Sequence, residues 1–417
     1  MIELWQRIAE TSGARIFGLL AGLVSLIITA RLLGPDGRGT VAAILSWVSL
    51  FSTMAYLSLG QVAIYKAGQE RGTEWFSQVF GALAVLTICL SLISLAVEFA
   101  LYKNTGGAVY GKLPLGLLLI GSTMIPLQIW QQYSSSLLMA IDRLSVFNRA
   151  QVIGSTAGVC GIIVFVWILR WGVKGALVAN ILNQLLVALI GLNVLWQFAG
   201  RRLQIDWYSI YYLLKNGVKL HLNAVGAYIF SQSNILILNY YVTKSEVGWY
   251  QFSYQLVTIM LVLPQAASMV LYTMMAQKGA DETWATNKRL LFQVTTLMIV
   301  LSGLAYVIAP WAIPLIAGSE FTPSIALFQL LLPALIGMTF STVMANQWIG
   351  RGLFLEAAIL TLGCGFGNLG LNYYLIPRFG VRGAVYAAVI TAVCIQAMIN
   401  LAMGVWCDRN VRRQELA

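Results

Sequence analysis

Charge is scarce in this chain. Asp, Glu, Lys and Arg make up 10% of its 417 residues, whereas a water-soluble surface carries about 25–35% of them. Histidine occurs once, as His221, which excludes imidazole clusters that hold zinc. The five cysteines, Cys89, Cys160, Cys364, Cys394 and Cys407, are odd in number and lie in or at the ends of apolar runs. Neither a disulfide framework nor a metal site is expected from them. Acids are rarer than bases, 15 against 26. Within apolar runs they are limited to Glu98, Glu246 and Glu356, each near an end. No phosphate-cradling glycine loop or nucleophile elbow appears, so the expectation is a non-enzyme without a cofactor.

Apolar residues are abundant. At 59% hydrophobic and a mean hydropathy of +0.79, the side chains cannot all be hidden inside one water-soluble core. About 20 apolar residues cross a bilayer as a helix. Twelve such runs occur, at 12–32, 39–65, 77–101, 114–140, 148–169, 175–198, 214–240, 246–276, 290–310, 322–349, 354–376 and 383–406. The expected class is an all-α polytopic membrane protein. Most tryptophans fall near run ends, where indole prefers the headgroup level; Trp47 and Trp130 fall well inside.

Basic residues in short loops set orientation. Sixteen lie on the side of the N-terminus and nine opposite, and Lys219, inside a run, completes the 26. Both termini are therefore expected in the cytoplasm. The net charge of +11 is read as loops facing anionic lipid headgroups, not nucleic acid. The first run is long enough to stay as a span, and Glu3 and Glu10 precede it, so no cleavable signal peptide is expected.

The heptapeptide Arg170-Trp-Gly-Val-Lys-Gly-Ala176 returns 208 positions later as Arg378-Phe-Gly-Val-Arg-Gly-Ala384, and half of 417 is 208.5. Gly39 with Gly248 and Pro126 with Pro333 keep nearly the same offset. The chain reads as a tandem duplication, 1–209 and 210–417, with six runs in each half. An even number makes the repeats parallel. Residues 199–213, basic and then aromatic at Trp207, Tyr208, Tyr211 and Tyr212, fit a short interfacial helix joining the lobes. Pro126, Pro333 and Pro264 are expected to bend their helices.

Arg31-Leu-Leu-Gly-Pro-Asp-Gly-Arg-Gly39, Leu59-Gly-Gln-Val-Ala63, Pro314-Leu-Ile-Ala-Gly-Ser-Glu-Phe321 and the repeated Gly-Val-Lys/Arg-Gly-Ala turns resemble the Wzx-type polysaccharide-biosynthesis flippases. These are the O-antigen and capsule transporters of the multidrug/oligosaccharidyl-lipid/polysaccharide (MOP) exporter superfamily, and the likeness runs nearly end to end. It implies a MATE-like fold of two six-helix bundles in a bacterial plasma membrane, acting as a monomer. It implies translocation of a polyprenyl-pyrophosphate-linked oligosaccharide to the outer leaflet by alternating access, for use by a polysaccharide polymerase. The family's cavity lies between the lobes and is lined by the first two helices of each half. Members often carry an Arg and an Asp in the middle of the seventh helix, where this chain reads Ser231-Gln232-Ser233-Asn234.

A phosphorylated glycan needs cations and hydrogen-bonding side chains. At 100° per residue, Lys215, Lys219, Asn223 and Gly226 form one stripe of the seventh run. A lysine at a helix centre costs about 2.5–3.5 kcal/mol, which favours a wet cavity, yet Lys219 also lies within snorkelling distance of the interface. Arg15 could meet the diphosphate from the first run or anchor in headgroups. His221, about 200° from Lys219, could couple protons or pack structurally. Gln61, Gln232, Asn234, Gln251 and Gln255 could match sugar hydroxyls or bond between helices. Against the flippase stand a cation-coupled drug antiporter, which would need deep carboxylates, and a membrane-embedded glycan polymerase, which would need large external loops.

Overall fold

A computed structural model describes residues 2–69 and 74–415; within it the side chains of residues 2–12, Arg15 and Asn223, among a few others, are outside the description. Every regular element among the described residues is helical. In chain order these are α1 (Ile2–Tyr56), α2 (Leu59–Gln69), α3 (Glu74–Thr105), α4 (Leu115–Ser122), α5 (Met124–Ala140), α6 (Leu144–Gly161), α7 (Gly172–Phe198) and α8 (Trp207–Tyr241). There follow α9 (Lys244–Met260), α10 (Val262–Lys278), α11 (Trp284–Ala317), α12 (Pro323–Gly350), α13 (Phe354–Phe379), α14 (Val381–Val389) and α15 (Met398–Glu415). Wider π-turns, Ile162–Ile168 and Ile390–Ala397, continue α6 and join α14 to α15.

Eight helices among the described residues are long and apolar enough to cross a membrane, fewer than the twelve apolar runs. The difference has physical sources. The first run and most of the second lie in α1, whose helical path breaks at Gly34 (φ 65°, ψ −177°) before Pro35; the end of the second run is in α2. The fourth run is split at Thr123 into α4 and α5, of 8 and 17 residues. The seventh and eleventh, α8 and α13, carry polar side chains such as Lys215, Asn216 and Lys219, and Glu356, Asn368 and Asn372.

Two compact units result, Met1–Tyr228 and Ile229–Ala417; the division falls within α8, whereas the sequence repeat led to an expected boundary at 209/210. The aromatic stretch expected as a separate linker helix is instead the beginning of α8. Asp206 starts it by accepting hydrogen bonds from the backbone N–H of Ser209 (2.9 Å) and of Tyr208 (3.2 Å). That satisfies donors a helix N-terminus otherwise leaves open.

In the first unit, Gly154, Gly158 and Gly161 fall on one face of α6 and let α7 approach closely. A Cβ on Gly154 would lie 2.5 Å from the Val187 side chain and 2.9 Å from the Asn183 carbonyl oxygen. Small residues of this kind take over where lipid removes the hydrophobic drive between helices. Val41, Ile162, Val166, Ala176 and Ala179 form the adjoining core. Trp47 and Trp130 are both buried in this unit. The second unit is built around Trp284, Met344, Met403 and Cys407. There the backbone at Ala392 closes on Gly337, whose Cβ would stand 2.2 Å from the Ala392 oxygen.

The repeated turn places a left-handed glycine at the same point in both copies: Gly172 and Gly380 have φ of 59° and 58°, a region that glycine enters without strain. The turns differ just before it, since Arg170 is also left-handed (φ 54°) where Arg378 still belongs to α13. Two of the three expected proline bends have a visible basis: helices break at Thr123 and Leu261, each three residues before a proline, Pro126 and Pro264. A proline ring displaces the turn that precedes it. Pro333 lies within the uninterrupted α12.

Candidate functional site

The second apolar run breaks where its sequence gives no warning. Leu57 and Ser58 both adopt positive φ, 46° and 53°, a conformation costing about 1–2 kcal/mol per non-glycine residue. The surrounding structure of the first unit holds the break in place. Tyr133 of α5 donates its hydroxyl to the Tyr56 carbonyl at 2.9 Å. His221 of α8 lies 3.2 Å from the Ser58 hydroxyl through Nδ1 and packs edge-on against Tyr56 at 5.3 Å. Gly217 allows α8 to close on the break, since a Cβ there would stand 2.6 Å from the Leu57 carbonyl oxygen. Further along, Tyr228 donates to the Ser46 carbonyl at 2.7 Å.

This docking fixes which way the polar residues of α8 turn. His221 is buried, while Lys215 and Lys219, one turn apart, are exposed. The Lys215 ammonium lies over the Tyr211 ring at 5.7 Å. Sequence reasoning missed Lys66, which is buried on α2 with its ammonium 5.7 Å from the Tyr212 ring centre. A basic residue immediately after an apolar run was its only signal. Gln61, also on α2, is exposed. The side chains of Arg15 and Asn223 lie outside the described residues.

The remaining expected residues belong to the second unit. Asn234 is buried and donates to the Tyr250 hydroxyl, while its own side-chain oxygen accepts from the Ile235 N–H at 2.9 Å. Gln251 donates to Gln255 one turn on, at 2.9 Å. Gln232 is half-buried on α8. Tyr250, fully buried, is the partner that the sequence did not reveal.

The three membrane acids separate by role. Glu246 completes a capping box with Thr243 at the start of α9, which accounts for it structurally. Glu356 is exposed in the first turn of α13. Glu98 is buried in α3, and one of its carboxyl oxygens has no hydrogen-bond partner. No cluster of three metal-ligating side chains occurs among the described residues.

A family model described as "Polysaccharide biosynthesis protein" matches residues 4–278. No curated protein matches the chain. Among solved structures, the chain is similar to the lipid II flippase MurJ in an inward closed conformation, with a TM-score of 0.79 at 12% identity, covering 94% of this chain and 87% of that one. It is similar to an inward-facing multidrug resistance MATE family transporter of the MOP superfamily, with a TM-score of 0.68 at 14% identity, covering 94% and 96%. A MOP superfamily transporter from Pyrococcus furiosus, whose binding pocket is described as reversed in polarity, matches with a TM-score of 0.60 at 14% identity over 96% of each chain. At these identities the likeness establishes an all-helical MurJ/MATE-like fold.

Proposed function

The chain belongs to the polysaccharide biosynthesis protein family, multi-pass membrane transporters of the MOP superfamily and not enzymes, and from that premise we propose that it is a lipid-linked oligosaccharide flippase. Its substrate is a polyprenyl-pyrophosphate-linked oligosaccharide, moved from the inner to the outer leaflet of a bacterial plasma membrane by alternating access. Twelve spans in two parallel repeats, with both termini cytoplasmic, complete the reading. Arg15, Asn223, Gln61, Gln232, Asn234, Gln251 and Gln255 are the further residues proposed to meet the substrate.

The observation that carries it is the pair Lys215 and Lys219, exposed on α8 and in no ion pair among those described. Cations in a spanning helix are costly unless a wet cavity or an anion compensates them, and a diphosphate is such an anion. A hydrogen bond to a charged group contributes about 1.5–3 kcal/mol, roughly ten- to a hundredfold in affinity.

In liposomes, the purified protein should translocate a lipid diphosphate oligosaccharide. Extrusion of an organic cation with no such translocation would assign the chain to drug export instead. Lys219→Ala should lower surface polysaccharide export at unchanged protein abundance; undiminished export removes Lys219 from the site.

A further inference from the structure

The first unit contains a groove of about 690 Å³ between α4 and the start of α7, lined by Leu117, Ile120, Trp171, Val173, Lys174 and Val178. Its composition is one-sided. Four walls are aliphatic, and the two polar side chains, the Lys174 ammonium and the Trp171 indole, only donate hydrogen bonds. No carboxylate lines it. Lys174 is exposed and takes part in no ion pair among those described.

The wall is held rigidly. Trp171 stacks on Phe165 with centroids 5.1 Å apart and planes 17° apart, and both Phe165 and Val173 pack against the core of Val41, Ile162, Val166, Ala176 and Ala179. Gly172, at φ 59°, turns the chain sharply enough to set Trp171 and Lys174 at the same helix end. Pockets of about 300–1,000 Å³ hold one ligand of modest size, which suits a single hydrocarbon chain better than a whole glycan.

The geometry points to this groove as a binding site for an anionic phospholipid of the bilayer. One acyl chain lies along Leu117, Ile120, Val173 and Val178, and the phosphate takes the Lys174 ammonium and the Trp171 N–H. Charge complementarity selects the anionic class, because both polar groups are donors and one is a cation. The site is independent of which substrate the protein transports.

Trp171 reports on its own occupancy. In full-length protein purified in detergent, the fluorescence lost on Trp171→Phe isolates its contribution, which brominated lipid in the groove should quench. Brominated phosphatidylglycerol should half-quench it at a concentration about fivefold lower than brominated phosphatidylcholine, the factor for one near-surface cation. Lys174→Gln should make the two lipids equal, and Val178→Phe, which fills the groove, should weaken quenching by both. Equal quenching in the unsubstituted protein, or a preference that survives Lys174→Gln, overturns the site. Displacement of the phosphatidylglycerol by an equimolar amount of decaprenyl phosphate would give the groove to a prenyl carrier and overturn the phospholipid assignment.

Discussion

Replacing Gly383 with alanine tests why the repeated turn carries a second glycine. Gly383 is the third residue of α14, and a Cβ there would stand 2.4 Å from the Leu375 carbonyl oxygen, 2.5 Å from its carbon and 2.8 Å from the Ile376 nitrogen. All three are main-chain atoms of α13. Ordinary contact begins near 3.4 Å, so α13 and α14 would have to part by about 1 Å across the tight turn at Gly380. Overpacking costs about 1–3 kcal/mol, and backbone that cannot rotate away places this case toward the upper end. Alanine's helical advantage over glycine offsets about 1 kcal/mol. The net expectation is a loss of about 1–2 kcal/mol. Gly303, in α11, is the control: a Cβ there meets nothing within 4 Å, so only the helical gain remains and the sign reverses. At about 2–4 °C per kcal/mol for a unit of this size, the two variants should separate by about 5–10 °C in thermal midpoint, followed as loss of monodisperse protein in one detergent. If Gly383→Ala rises with Gly303→Ala, close backbone approach is not the reason for the glycine.

Tyr133→Phe removes the hydroxyl that holds the Tyr56 carbonyl at the break between α1 and α2; a loss of about 1–2 kcal/mol should appear as faster amide exchange at Leu59–Gln61, and unchanged exchange there would show that the break holds itself. Ser209, followed by the Tyr208 N–H and the Lys66 charge, holds the Asp206 carboxyl below the usual carboxylate range. A depressed folded value stabilises the start of α8 fully above the unfolded value of about 3.9 and loses that contribution as pH falls through the folded value. Exchange at Tyr208 and Ser209, corrected for intrinsic rates, should therefore accelerate on acidification below about pH 4, and Asp206→Asn, which keeps a capping oxygen, should abolish that pH dependence.

What could be read from the sequence was what repeats or what excludes water. Apolar runs located the helices, and the heptapeptide at 170–176 and 378–384 marked two turns that share a left-handed glycine, Gly172 and Gly380. Three kinds of feature were hidden. The break at Leu57 and Ser58 contains neither glycine nor proline, because tertiary contacts from Tyr133, His221 and α8 impose it. Pro333 reads like Pro126, yet lies in an uninterrupted helix, since neighbours can carry a proline in a membrane helix without a break. The aromatic stretch after residue 206 looked like a linker because its exposed Trp207, Tyr208 and Tyr211 are periodic with nothing upstream; only the Asp206 cap shows that α8 begins there. For the candidate residues, helical spacing placed Lys215 and Lys219 together and His221 apart, but pairings such as Asn234 with Tyr250 join separate helices and leave no local trace.

The two halves differ most where a polar side chain fastens one helix to another. All the buried Asn and Gln side chains among the described residues lie in the second unit: Asn234, Asn239, Asn287, Asn346, Gln347, Asn368, Asn372 and Asn400. Several of them bridge helices directly, as Asn346 does to Ser268 (3.0 Å) and Asn368 to Thr391 (3.0 Å). Among the described residues the first unit buries none. Its hydroxyls, such as Thr87 and Ser122, mostly bond back to their own helix, and contact between helices falls to small residues and to aromatic donors on carbonyls, such as Trp130 on Ala188. Bonds between membrane helices contribute about 0.6–2 kcal/mol each, and a fastener of that size can be replaced by another elsewhere. A carbonyl 2.4–2.8 Å from where a Cβ would sit, as at Gly383 and Gly175, has no substitute but glycine. The fasteners are therefore free to differ between the two units, whereas Gly175 and Gly383 of the repeated turn are held to glycine by the main chain packed against them.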